Sequence, residues 1–169
     1  MPARLGLNAR LYLLPYDKRG EAGVLLDWPA GGGVPPELIL YPSCMDITLN
    51  LSKAEADVTT RASNGWRQSV GTLKDGEVSF DVLYNPANPI AYTDPFQNLL
   101  AAWLYDYPIC LAVMDQAYDT VGAQGFYADF TVITFEKQEA LEDAQKVSVS
   151  CKPTPSVLVP QWVTTVATP

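Results

Sequence analysis

Nineteen carboxylates, eleven cationic side chains, three thiols and no histidine are the reactive groups of this 169-residue chain. The lack of histidine removes the commonest general base, the Ser-His-Asp and Cys-His arrangements and the usual zinc ligands. A carboxylate pair or a Ser-Lys dyad could remain, but the acids are scattered: Asp81 on an expected strand, Asp115 and Asp119 in a turn, Glu139, Glu142 and Asp143 in a charged run. The Asp115–Asp119 turn lacks the ligand count and glycine placement of a calcium loop. Ser52 and Lys53 are adjacent on a strand end, where alternation sends the two side chains to opposite faces. Gly31-Gly32-Gly33 has neither the strand-before, helix-after context of a phosphate loop nor its Lys-Ser/Thr, so it reads as a plain loop. Cys44, Cys110 and Cys151 lie far apart on expected strands, as reduced, buried thiols do; one disulfide would leave a cysteine over. The Asn50-Leu51-Ser52 sequon sits in a strand with no secretory mark and reads as chance. The expectation is a protein with no catalytic residues, no cofactor and no metal.

Composition points to association instead. A 48% hydrophobic content can bury a sizeable core in one domain, while 18% charged residues is low for the surface of a soluble monomer. Part of that surface is expected to be covered by other copies of the chain. The net charge of −8 is uneven: residues 1–40 carry four basic and four acidic side chains, residues 41–169 seven basic and fifteen acidic. Such a chain should not hold DNA tightly. No stretch approaches the ~20 apolar residues of a membrane span, so no membrane anchor is expected.

Positioning elements follow from periodicity. Asn8 to Leu14 reads as a first strand. Residues 15–43 are a Pro/Gly-rich excursion with short apolar runs at Val24–Trp28 and Leu38–Tyr41. Met45, Ile47, Leu49 and Leu51 alternate with Asp46, Thr48 and Asn50, and Val78, Phe80 and Val82 alternate with Ser79 and Asp81, which makes both runs half-buried strands. Between them a long polar loop carries Arg61, the Asn64-Gly65 turn signal and Trp66. Residues 94–107 are expected to be a helix capped by Asp94 with Pro95 at its first position, burying Phe96, Leu99, Leu100, Trp103, Leu104 and Tyr107 on one face. Ile109–Met114 suits a strand buried on both faces. In Phe126–Phe135 the apolar parity changes from even positions to odd ones, so the strand passes between two packing environments. Lys146–Lys152 alternates as a strand with one wet face, and 153–169 reads as an extended C-terminal arm. Strands with one capped helix and no βαβ alternation define a mainly β fold: a β-sandwich or curled barrel with one flanking α-helix, in a single domain.

The run Ser52-Lys53-Ala54-Glu55, then Asp57-Val58-Thr59-Thr60-Arg61, Gly65-Trp66-Arg67 and the strand Val78–Val82 resembles the major tail tube proteins of long-tailed, siphovirus-like bacteriophages. The likeness extends through the helix and the later strands to Val147–Ser150, about two thirds of the chain. The resemblance implies a structural subunit whose hexameric rings stack into the conduit for genome ejection, with sheets joined edge to edge into an inner barrel and loops reaching the next ring. It implies itself, tail-tip and tail-terminator proteins as partners, DNA only as passing cargo, and a place in the virion tail after synthesis in the host cytoplasm. Asp57, Thr59, Thr60, Arg61, Trp66 and Arg67 are the inter-subunit contact candidates, and Thr48, Asn50, Ser79 and Asp81 the lumen-facing ones. The rival expectation is a monomeric β-sandwich module that binds a carbohydrate or peptide through exposed Tyr and Trp.

Overall fold

Alternation decides which strands share a core, and the structure, a computed structural model, follows it over most of the chain. Residues 9–14, 38–41, 43–63, 66–83, 95–118, 120–138, 145–154 and 159–165 are described. They form β1 (Arg10–Leu14), β2 (Ile39–Leu40), β3 (Cys44–Asp57), β4 (Ser69–Leu83), α1 (Pro95–Tyr105), β5 (Ile109–Met114), β6 (Gln124–Gln138), β7 (Lys146–Pro153) and β8 (Gln161–Thr164). All strands join one antiparallel sheet in the order β2-β1-β5-β6-β7-β4-β3, with β8 added to β6. Most of the excursion and the Asp94 cap lie outside the described residues. Ile39 and Leu40 pair with Leu13 and Tyr12, and Gln161–Thr164 pairs with Gln124–Tyr127.

One face of the sheet curls around the main core. Leu11, Leu13, Ile109, Leu111, Phe130, Val149, Phe80 and Val82 meet there with Leu99 and Ala102 of α1. The two ends of the sheet approach at Tyr41, whose amide donates to the Leu11 carbonyl at 2.9 Å and whose ring stands 6.2 Å from that of Phe80. The sheet stays open, so the expected mainly β fold with one flanking helix holds as a single curled sheet. A second cluster, with Tyr12, Leu14, Cys110, Ala112, Met114, Tyr127 and Val163, covers the other face of β1, β5 and the first half of β6. That explains the unbroken apolar run of β5, which is buried on both sides. Gly125 lets β5 and β6 approach: a β carbon there would collide with the Val113 carbonyl oxygen and the Met114 side chain.

Two bulges set the faces. In β6 the register with β7 shifts between Val132 and Thr134, leaving Ile133 extra, 50% exposed. Phe126, Ala128, Phe130 and Val132 face the main core before the bulge, and Phe135 after it. This is the physical origin of the parity change in the sequence. In β3 the register with β4 shifts between Met45 and Thr48, where Asp46 has a φ of 52°, and again farther out between Lys53 and Glu55. Cys44 therefore shares the core side with Ile47 and Leu49, and Met45, which the sequence groups with them, pairs with Asp81 instead.

The helix differs from expectation at its end. It starts at Pro95 and stops at Tyr105, where Asp106 turns left-handed at φ 54° and Pro108 follows. Leu99 and Ala102 are buried, and Phe96 and Trp103 meet the Phe135 ring at 5.8 and 6.2 Å. In the final turn Trp103 and Leu104, expected in the core, are 43% and 55% exposed, and Tyr105 beside them is 75% exposed, while Tyr107 packs against the main core.

Candidate functional site

The long polar loop expected between Leu51 and Val78 is largely strand. β3 continues to Asp57 and β4 begins at Ser69, so the two make one hairpin of 14 and 15 residues. Its near half is half buried in strict alternation from Gly76 to Leu83, whereas every residue from Leu51 to Lys53 and from Ser69 to Asp75 is exposed. The backbone ladder carries the far half: Ser52 pairs with Asp75, Lys53 with Lys74, Glu55 with Gly71 and Asp57 with Ser69.

Side chains close the tip. Thr59 donates its amide to Asp57 Oδ1 at 2.8 Å, and its hydroxyl accepts from the Gln68 amide at 2.9 Å. The Val58 amide donates to the Gln68 carbonyl at 3.0 Å, and Arg67 Nε lies 3.3 Å from Asp57 Oδ2. These hydrogen bonds, from Thr59 first and Arg67 after it, hold the Asp57 carboxyl below its ordinary value of 3.8. Of the six contact candidates, Asp57, Thr59 and Arg67 thus converge on one another as a staple. Thr60 and Arg61 are exposed, Arg61 opening a short 3-10 turn, and Trp66 is 78% exposed beside Arg67.

The four lumen candidates lie on one face of the near half, away from the main core. Thr48 stands opposite Ser79, and Asn50 opposite Glu77. Ser148 of β7 donates its hydroxyl to Asp81 Oδ1 at 2.8 Å, and the hydroxyls of Thr134 and Ser150 are 2.7 Å apart. The face is therefore four strands wide, with Thr48, Ser79, Ser150 and Thr134 in successive register and Glu136 beside Ser148. The β6 and β7 members were missed as site residues. Their signals were present, in the wet face of Lys146–Lys152 and in the parity change that turns Thr134 and Glu136 outward. Asp46, Ser79, Asp81, Glu136 and Ser148 border a shallow depression of about 220 Å³ on this face.

Nucleophilic chemistry is closed at two of the thiols. Burial pushes Cys151 up to about 12, and burial with the nearby carboxylates of Asp81 and Asp46 does the same to Cys44. Both are thiols at neutral pH. Among the described residues no group of three or more acids and cysteines could hold a metal ion.

A curled sheet, a single flanking helix and a long projecting hairpin define the tail tube fold. The chain has a TM-score of 0.66 and 8% identity to the tail tube of SPP1, covering 98% of this chain and 81% of that one. It has a TM-score of 0.65 and 12% identity to a chain in the tail of an empty gene transfer agent particle refined with C6 symmetry, covering 95% and 99%. A chain of the anti-feeding prophage baseplate gives 0.55 and 6%, with 97% of each chain covered. No protein-family model matches the chain, and no curated protein matches its sequence.

Proposed function

We propose that the chain is the structural subunit of a phage-type tail tube, assembling into stacked hexameric rings that conduct DNA. The observation that carries this is the likeness of the whole chain, rather than one motif, to subunits of tail structures, one of them refined with six-fold symmetry. Three features of the chain support it. The outer edge of β3 is a row of main-chain groups along a 14-residue strand, which pairing with a neighbour in a ring would cover. The hairpin displays Trp66, Leu73, Val70 and Leu51 with no core of its own to receive them. The hydroxyl-and-carboxylate face through Thr48, Asn50, Ser79 and Asp81 repels phosphate and suits a channel wall along which DNA slides.

In this reading Arg61 and Trp66 anchor contacts between subunits, since Arg and Trp dominate interface energies. Asp57, Thr59 and Arg67 hold the loop that presents them. The tube sits in the virion tail, forms after synthesis in the host cytoplasm, and is closed by tail-tip and terminator proteins. Negative-stain microscopy of the concentrated protein tests the reading, with hollow tubes or six-membered rings as the expected result. A chain that stays monomeric at every concentration, with or without tail-tip components, overturns it in favour of a monomeric binding module.

A further inference from the structure

Where β3 and β4 leave the core, their core-facing side continues outward over an open groove. Leu51 faces Gly76 in register, and a β carbon on Gly76 would stand 3.3 Å from both Leu51 and Pro153. The next pair outward on that side is Lys53 opposite Lys74. Across from it stand Trp162 and Phe126, paired between β8 and β6, with Val159 alongside. These residues bound a groove of about 680 Å³. Phe126 at its floor belongs to the main core, while Leu51, Trp162 and Val159 are 50%, 59% and 76% exposed. The groove is thus an open end of the core with a cationic rim. Asp75 beside it is engaged by the Gly76 amide at 2.8 Å and by Lys152 at 3.9 Å. Two like charges directly opposite each other are unfavourable in the isolated hairpin and become favourable once an anion sits between them.

Two other groups of exposed aromatic side chains on the described surface have charged neighbours that discriminate between them. The hairpin tip offers Trp66 with Arg67, which Asp57 engages at 3.3 Å, and Arg61, the charge that Lys53 and Lys74 repel. The end of α1 offers Trp103, Leu104 and Tyr105, followed by exposed Asp106. Its last turn holds no basic residue, so the partial negative charge of the final carbonyls is not offset within the helix. Apolar bulk and negative charge therefore coincide at the helix end, as apolar floor and positive charge coincide at the groove.

We infer that the groove receives the C-terminal end of α1 from a second copy of this chain, with Asp106 and the helix carbonyls against Lys53 and Lys74. The inference rests on the tube reading, for which it supplies a seam between neighbouring subunits. A contact between two different patches of one chain is head-to-tail and propagates until a ring closes.

The test places the photo-crosslinker p-benzoylphenylalanine at position 162 of the full chain, irradiates assembled protein and maps the joined peptide. A cross-link between copies to the peptide containing Trp103 to Asp106 is expected. In parallel, Lys53→Glu with Lys74→Glu keeps the like-charge pair within the hairpin but reverses its sign. It should raise the protein concentration needed for assembly at least tenfold at low salt. Adding Tyr105→Lys and Asp106→Asn should restore assembly, Asn being tolerated at the left-handed position. Tubes whose cross-links map to the hairpin tip, or whose assembly ignores the charge reversal, overturn the inference and leave the tube reading standing. The expected cross-link in species that form neither rings nor tubes overturns the tube reading alone, and the lack of both overturns both.

Discussion

The near and far halves of the β3–β4 hairpin share one hydrogen-bonded ladder and differ in everything else. In the near half Val78, Phe80 and Val82 are 0–2% exposed and the opposite face is polar. In the far half apolar and polar residues alike are exposed, from Leu51 to Glu55 and from Ser69 to Asp75. The ladder fixes register in both, but only the near half repays the ordering of its side chains by burial within the subunit. A two-stranded ribbon is marginal by itself. In the proposed tube the far half is the part that contacts with other chains would complete.

The sharpest way to break this comparison is to truncate one large side chain in each half. Phe80→Ala should lower the stability of the monomer by about 3–5 kcal/mol, read from chemical denaturation, because the cavity opens in the main core. A loss below about 1 kcal/mol would show that the near half is not the anchored one. Arg61→Ala with Trp66→Ala should change monomer stability by no more than about 0.5 kcal/mol, as exposed positions do. The same double variant should fail to assemble; normal tubes from it would place the contacts elsewhere.

Smaller effects sharpen the contrast between the two faces of the near half. Asn50→Lys with Asp81→Lys should still give tubes at moderate salt, but particles should eject DNA slowly, with the defect relieved as ionic strength rises. Wild-type ejection rates at low salt would show that these positions do not line the channel. The smallest effect concerns the tip. Because the Asp57 carboxyl is held below 3.8 in the folded chain, its staple is fully formed above that value and is lost as pH falls through the lowered one. The Thr59 amide resonance should titrate with a midpoint below 3.8; a midpoint at or above 3.8 would mean that the staple does not form in solution.

Much of the near half was legible because burial writes a period into sequence. Val78-Phe80-Val82, the two-sided run of β5 and the parity change of β6 are each a direct record of which face meets apolar neighbours. The far half carries no such record: Lys53, Glu55, Gly71 and Thr72 sit in strands because the ladder extends. β8 was hidden for a similar reason, four residues among prolines whose only buried member is Val163. The Asp46 bulge was concealed by an alternation that looks unbroken through Met45. The exposed last turn of α1 obeys the helical period, so the period alone does not tell Trp103 and Leu104 from the buried Leu99. As for the site, the sequence marked Thr48, Asn50, Ser79 and Asp81 as one face, yet it gave no hint that Asp57 and Arg67 bind each other.

The extra residue at Ile133 gives β6, a strand of the proposed channel wall, a reading frame of two. Upstream of it the frame assigns even numbers to the core; downstream it assigns odd ones. Substitutions at Thr134, Glu136 or Ser150 change the chemistry of the wall one side chain at a time and leave the frame intact. Removing Ile133 alone would take out the unpaired residue and set Thr134 directly after Val132, so plain alternation would keep Val132 and Phe135 inward and Thr134 and Glu136 outward. Loss of the unpaired residue would therefore straighten the strand without exchanging its faces, whereas deletion of a paired residue such as Phe135 would turn every side chain after it to the opposite face.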